Sequence, residues 1–196
     1  MVRSFIAIET PEEIRNKIFE TFDRVRRQTS GIKWAEPAGM HLTLKFLGDV
    51  EASLIEEEII PRLDLSLSPE SSLQLTVGGV GLFPSLHKPR VFWVGIGGDA
   101  VGLKRIQSKI ERDLKDLPVH HEDREFHPHL TLGRIKAPNS KNLWAKILEE
   151  YEKIDFGSFA AGSIVLFKSE LTRAGANYTK LKEFKFGERS EVRGKK

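Results

Sequence analysis

The sequence predicts a mixed fold, α+β or α/β, built from two β-α-β lobes that are related by an approximate two-fold duplication. The tetrapeptide His-Leu-Thr-Leu occurs at 41–44 and again at 129–132. An apolar strand pattern begins 36 residues before the first copy and 37 residues before the second, at Phe5 and Phe92. Each interval also contains an amphipathic helix pattern. Two such motifs in matching surroundings indicate an internal repeat.

The first lobe opens with a short apolar strand at 4–9 and an amphipathic helix after it. Thr10 is predicted to cap this helix, with Pro11 at its first position and Glu13 completing a capping box. The apolar residues of the helix recur every three or four positions, at Ile14, Ile18, Phe22 and Val25. Polar and apolar residues then alternate over 41–46, which predicts a strand with one buried face.

The rest of the chain continues as helices and strands in turn. The predicted elements are a helix at 51–63, strands at 73–83 and 90–96, a helix near 100–114, a strand from His129, a helix near 141–153 and a strand near 159–167. The resulting order, β-α-β-α-β-β-α-β-α-β, is typical of an α+β or α/β chain.

Length and composition exclude several classes of protein. The 196 residues fit one domain or two small lobes that share a core. Because the sequence has no cysteine, a disulfide scaffold, a thiol nucleophile, an iron–sulfur cluster and a cysteine-ligated zinc site are excluded. The apolar run at 5–8 is too short for a signal peptide, and no stretch approaches the roughly 18 apolar residues of a membrane span. A cytoplasmic protein without membrane contact is expected.

The net charge of +3 is concentrated at the carboxyl end. Residues 180–196 contain seven Lys or Arg and three Glu and so carry +4, which leaves −1 for the preceding 179 residues. We therefore predict one bilobed domain at 1–186 and a basic flexible tail at 187–196. A bulk electrostatic argument for a polyanionic partner is weak, so any anion chemistry must come from a few local residues.

The repeated motif places matching polar side chains on one face of each strand. His41 and Thr43 point to the same side, as do His129 and Thr131, while the leucines between them point into the core. Two imidazoles suit a general acid–base pair because an unperturbed imidazole titrates near about 6.5. A threonine hydroxyl can donate to a phosphoryl oxygen. If the two lobes face each other, this set fits metal-free phosphodiester cleavage.

Two other interpretations compete with this one. A single strand histidine is usually a surface or hydrogen-bonded core residue, but two motifs in matching context favour function. A metal site is the second alternative, because several possible ligands lie close together in the sequence at His120, His121, Glu122, Asp123, His127 and His129. The first repeat lacks counterparts of these residues, so we expect no metal, with His127 beside the site and His120 and His121 in an exposed turn.

With these motifs in place, the sequence resembles a known family, the 2H phosphoesterases, and within it the RNA 2′,3′-cyclic phosphodiesterases, also called 2′-5′ RNA ligases. The resemblance covers nearly the whole chain, through the segments RSFIAIETPEE, KWAEPAGMHLTLKFLGDV, GVGLFPSLHKPRVFWVGI, FHPHLTLGRI and LFKSELTRAGANYTKL. It implies an α+β, bilobed fold in which two antiparallel-rich sheets form a central cleft, with the helices outside.

The resemblance also implies roles for five residues. His129 would be the proton acceptor and His41 the proton donor, although the near-symmetric sequence would also allow the reverse. Thr43, Thr131 and Arg134 would bind the phosphate. Arg134 lies five residues after His129, so an ideal strand would turn it away, and a bulge at Gly133 is expected to re-aim it.

The implied activity is metal-independent hydrolysis of a 2′,3′-cyclic phosphate to a 2′-phosphate, without a cofactor, by a monomer. Its expected substrates are RNA ends or nucleotides bearing that group, tRNA fragments among them. Reversal of the reaction would give a secondary 2′-5′ RNA ligase activity. The alternatives are a non-catalytic RNA-end or nucleotide-binding module and a histidine-ligated metal hydrolase. The candidates for base stacking are Trp34, Phe83, Phe126 and Tyr178.

Overall fold

The computed structural model describes residues 1–137, 139–171 and 176–187, and nine strands lie within these ranges. The strands are β1 (Val2–Glu9), β2 (Ile32–Trp34), β3 (His41–Val50), β4 (Leu73–Phe83), β5 (Val91–Gly98), β6 (His129–Ile135), β7 (Asp155–Ala161), β8 (Ser163–Leu171) and β9 (Ala176–Lys185). The α-helices are α1 (Glu12–Thr21), α2 (Asp23–Gln28), α3 (Ala52–Leu54), α4 (Ile60–Leu67), α5 (Ala100–Asp113) and α6 (Lys141–Tyr151). A 3₁₀ turn at Pro37–Gly39 precedes β3, and a π-helical turn at Ile55–Ile59 joins α3 to α4.

The strands form one antiparallel sheet that consists of two four-stranded halves. The order is β7-β4-β5-β6-β3-β1-β8-β9, with β2 paired to β6 beside the main path. β3 and β6 meet at the centre through a single residue pair, Leu42 opposite Leu130. The predicted α+β class is therefore confirmed, and the two predicted sheets are halves that join at one point.

The two halves repeat the same plan in opposite directions from this central pair. Outward from β3 come β1, β8 and β9, and outward from β6 come β5, β4 and β7. The helices are exchanged between the halves. The ring of Phe22, after α1, packs edge-on against Phe92 in β5 with a centroid separation of 5.4 Å. Lys45 in β3 donates to Glu111 of α5 at 2.5 Å. The predicted pseudo-two-fold lobes are thus interleaved.

The core lies on the side of the sheet that the helices cover. Leu42 and Leu130 are fully buried there, in one cluster with Ile18 of α1, Ile106 of α5 and Trp144 of α6. The helices therefore lie outside the sheet, as predicted, and leave its other face for the polar residues of the two motifs.

Several sequence predictions of local structure are wrong. Pro11, not Thr10, stands at the N-cap of α1, and the cap makes no side-chain hydrogen bond. Proline at this point leaves no place for the predicted capping box, so Thr10 and Glu13 do not cap, and the Thr10 hydroxyl is buried without a partner. The predicted strand near 159–167 runs across Gly162, where the chain passes from β7 in one half to β8 in the other. The mostly apolar sequence of 159–167 gives no clear sign of that crossing.

Two strands were not predicted. β2 has only three residues, and β9 has a mostly polar sequence with one buried residue, Phe184, so neither shows clear alternation. The helix predicted at 51–63 extends to Leu67 through the π-helical turn. The tail predicted at 187–196 lies outside the described residues apart from Gly187.

Candidate active site

The central pair of the sheet brings the two motifs together on one face. Because Leu42 and Leu130 point into the core, the residues on either side of them point to the opposite face. His41, Thr43, His129 and Thr131 are all half-buried there, and we call this side of the sheet the motif face. In this register each histidine lies opposite the threonine of the other motif. The two histidines are therefore diagonal neighbours, which lie about 7–8 Å apart across a pair of strands. Such a spacing leaves room for a phosphoryl group between the imidazoles.

A bulge follows each motif at the equivalent position. The pairing of β1 with β3 skips Leu44, and the pairing of β5 with β6 skips Leu132. The extra residue reverses the alternation of sides, so that Phe46 and Arg134 are exposed five residues after their histidines. The predicted bulge near Gly133 is therefore present, and its counterpart in the first motif carries a phenyl ring in place of a guanidinium.

His129 has a defined tautomer. Its Nδ1 lies 2.7 Å from the carbonyl oxygen of His127, and a carbonyl can only accept, so Nδ1 carries the proton and Nε2 has a free lone pair in the neutral ring. Burial lowers the pKa of His129, the hydrogen bond to His127 opposes this, and the Arg134 charge lowers the pKa further. His129 is therefore neutral near pH 7 and able to accept a proton.

His41 lies among aromatic rings. Its imidazole stacks on Phe5 with centroids 4.6 Å apart, and Tyr178 approaches it edge-on at 5.1 Å. Burial, and secondarily the Arg15 guanidinium, lower the pKa of His41 to about 4. Without a nearby anion the ring is neutral, and a bound phosphate would favour the protonated form that an acid requires.

The predicted stacking residues fall into two groups. Phe83 lies edge-on to His129 at 5.0 Å and Tyr178 lies beside His41, so both border the site. Trp34 packs against Phe92, with Arg26 over its ring, and Phe126 packs against the core, so these two are not brought to the motifs.

Of the other predicted histidines, His127 lies beside the site as expected, with its ring centroid 5.9 Å from that of Phe83. His120, His121 and His127 are exposed, the carbonyl oxygen of His120 accepts a hydrogen bond from Lys45, and that of His127 holds the ring of His129. In the described parts of the chain, no three residues among His, Asp and Glu are grouped as metal ligands.

Comparison with known proteins places the chain in a family. A family model described as LigT-like phosphoesterase matches residues 8–93 and 97–178. The chain belongs to the LigT-like phosphoesterases. The matched residues include both motifs and Tyr178.

Relatives align with this LigT-like phosphoesterase over nearly all of its length. An RNA 2′,3′-cyclic phosphodiesterase from Methanocaldococcus jannaschii is 36% identical over 93% of this chain and 100% of its own. One from Aquifex aeolicus is 32% identical over 95% and 98%. The Escherichia coli LigT crystal structure with 3′-AMP has a TM-score of 0.74 at 25% identity, covering 95% of this chain and 99% of that one.

Sequence reasoning did not identify Phe5, which stacks on His41, or Trp93, which lies near His129. Trp93 of β5 pairs with Thr131, and its indole lies across Gly81 of β4, where a Cβ would stand only 2.0 Å from the ring. Its centroid is 6.3 Å from that of His129. The signal was the cross-strand register to the second motif, which could not be read before the position of the bulge was known.

Proposed function

We propose that the protein is a metal-independent RNA 2′,3′-cyclic phosphodiesterase that produces 2′-phosphate ends. The observation that carries the proposal is the placement of both His-x-Thr pairs on one face, around the Leu42–Leu130 pair. The full-length relatives named RNA 2′,3′-cyclic phosphodiesterase support the same substrate class. Among the described helices, none has the length and apolar character to cross a membrane. The cytoplasmic location and the monomeric state stay predictions.

In the proposed reaction His129 is the general base and His41 the general acid. Nε2 of His129 takes a proton from water as the water oxygen forms a bond to phosphorus. The bond from phosphorus to the 3′ oxygen breaks, and that oxygen takes the proton of the His41 imidazolium. The ring's 2′ oxygen stays on phosphorus, which gives a 2′-phosphate. The Nδ1 hydrogen bond of His129 supports this assignment because it directs the free lone pair away from the backbone.

Three further groups bind the phosphate in this proposal. The hydroxyls of Thr43 and Thr131 donate to its non-bridging oxygens, and the Arg134 guanidinium balances the charge that develops on them. The phosphate in turn raises the low pKa of His41, so that substrate binding itself supplies the protonated acid.

The same proton transfers, in the same direction but with a different nucleophile, would give a 2′-5′ RNA ligase activity. A 5′-hydroxyl would replace water as the nucleophile at the cyclic phosphate. His129 would remain the base and His41 the acid. In water, hydrolysis is favoured over this ligation.

The test is hydrolysis of adenosine 2′,3′-cyclic phosphate in excess EDTA. We expect turnover that EDTA does not lower and that a double variant H41A/H129A abolishes, with adenosine 2′-phosphate as the product. Exposed His121 provides the control, since H121A should keep full activity. Activity lost in EDTA and restored by zinc would favour a metal hydrolase. Tight, salt-sensitive RNA binding without any product would favour a binding module.

A further inference from the structure

A recess opens beside His41 at the edge of the motif face. Its volume is about 140 Å³. It is formed where the end of β1, the start of α1, the 3₁₀ turn before β3 and the strands β8 and β9 come together. The His41 ring forms one wall, so the recess continues from the site itself.

Two polar groups at the recess are buried without partners. Thr10 is only 3% exposed, and its hydroxyl has no hydrogen-bond partner. The Nε of Arg15 is also buried and unpaired, while Nη1 of the same side chain donates to the carbonyl oxygen of Pro37. Buried polar atoms are nearly always satisfied in folded proteins, so two unpaired ones beside one recess are available to bind a ligand there.

The positive charge of the recess favours binding of an anion. Lys180 is paired with Glu9 at 2.5 Å, so these two side chains neutralise each other. Arg15 has no carboxylate partner among the described residues and therefore contributes a net positive charge. A guanidinium and a hydroxyl together match the oxygens of a phosphate group.

The proposed reaction places one part of the substrate on this side. His41 protonates the departing 3′ oxygen, so the ribose of the terminal nucleotide stands next to His41 and its 5′ carbon can extend toward the recess. We propose that the recess, through Arg15 and Thr10, binds the phosphate on the 5′ side of the terminal nucleotide. The enzyme then acts preferentially on the ends of RNA chains and on 5′-phosphorylated nucleotides. This inference rests on the proposed function.

The experiment compares three substrates that differ only at the 5′ position: adenosine 2′,3′-cyclic phosphate, its 5′-phosphorylated form, and the dinucleotide ApA ending in a 2′,3′-cyclic phosphate. We expect kcat/KM for the second and third to exceed that for the first by roughly tenfold to a hundredfold, the effect of hydrogen bonds to a charged group. In R15Q this ratio should fall to about one. Isothermal titration should likewise show tighter binding of adenosine 2′,5′-bisphosphate than of adenosine 2′-phosphate, only with Arg15 present.

Two further variants guard against a purely structural effect of Arg15. R15K keeps the positive charge and should retain part of the preference, and T10V removes only the hydroxyl and should lower the preference severalfold. R27Q removes an exposed arginine of α2, which pairs with Asp23, and should leave the preference unchanged.

Equal kcat/KM for all three substrates in the wild-type protein would overturn the inference and leave the proposed function intact. A preference that survives in both R15Q and T10V would overturn it as well. Failure to hydrolyse any of the three substrates would instead overturn the proposed function, and this inference with it.

Discussion

The half of the sheet that carries His41 and the half that carries His129 share one backbone plan and surround their histidines differently. His41 is held by rings, with Phe5 stacked on it and Tyr178 against its edge. His129 is held by a hydrogen bond from Nδ1 to a backbone carbonyl. Five residues further on, the first half presents Phe46 and the second presents Arg134. The duplication places both imidazoles on the motif face, and their unlike neighbours are the basis for the different roles proposed for them.

The largest effect should come from removing either histidine. We expect H41A and H129A each to lower kcat by about 100-fold to 10,000-fold, the usual contribution of a positioned acid or base. A substrate whose 3′ oxygen is replaced by sulfur distinguishes the acid from the base, because a thiolate can leave without a proton. With that substrate, single-turnover measurements should show H41A substantially restored and H129A still impaired. Restoration of H129A instead would reverse the two roles.

The aromatic surroundings of His41 should also make the protein less stable in acid. The pKa of His41 is near its ordinary value of 6.5 in the unfolded chain and about 4 in the folded one, so the folded state favours the neutral ring. The contribution of His41 to the free energy of unfolding is therefore complete above pH 6.5. It falls by up to about 3 kcal/mol as the pH is lowered toward 4. H41F keeps a ring against Phe5 and cannot titrate, so its free energy of unfolding should fall less.

Urea unfolding of the wild-type protein and H41F between pH 7 and pH 4 measures this difference, because all other titrating groups are common to both. Parallel curves for the wild-type protein and H41F would contradict the lowered pKa.

The smallest of these effects should come from the two residues that follow the bulges. R134Q should lower kcat/KM by roughly tenfold to a hundredfold, since it removes a charged donor to the phosphate. F46Q changes the equivalent position of the first half, where the ring is 47% exposed, and should have little effect. R134K should fall between the wild-type protein and R134Q, because it keeps the charge and loses the planar fork. An equal loss of kcat/KM in R134Q and F46Q would contradict the proposed difference between the two halves.

The sequence predicted the repeat and the four motif side chains because strand alternation alone decides which of them share a face. It also predicted a re-aimed Arg134, from the conflict between its spacing and a regular strand. It could not predict the recess, since Thr10, Arg15, Tyr178 and Lys180 meet there from elements far apart in the chain. The capping box was wrong because Pro11 takes the N-cap, and the hydroxyl that was assigned to capping lies instead at that recess.

The exchange of helices between the halves makes the placement of both proposed catalytic groups depend on the folding of the whole sheet. The helix that follows β1 covers the half with His129, and the helix that follows β5 contacts the strand with His41. Neither β-α-β unit therefore encloses its own apolar interior, and a fragment ending before Phe92 would lack the surface on which its first helix rests. The proposed acid and base therefore reach their positions only when both halves are folded.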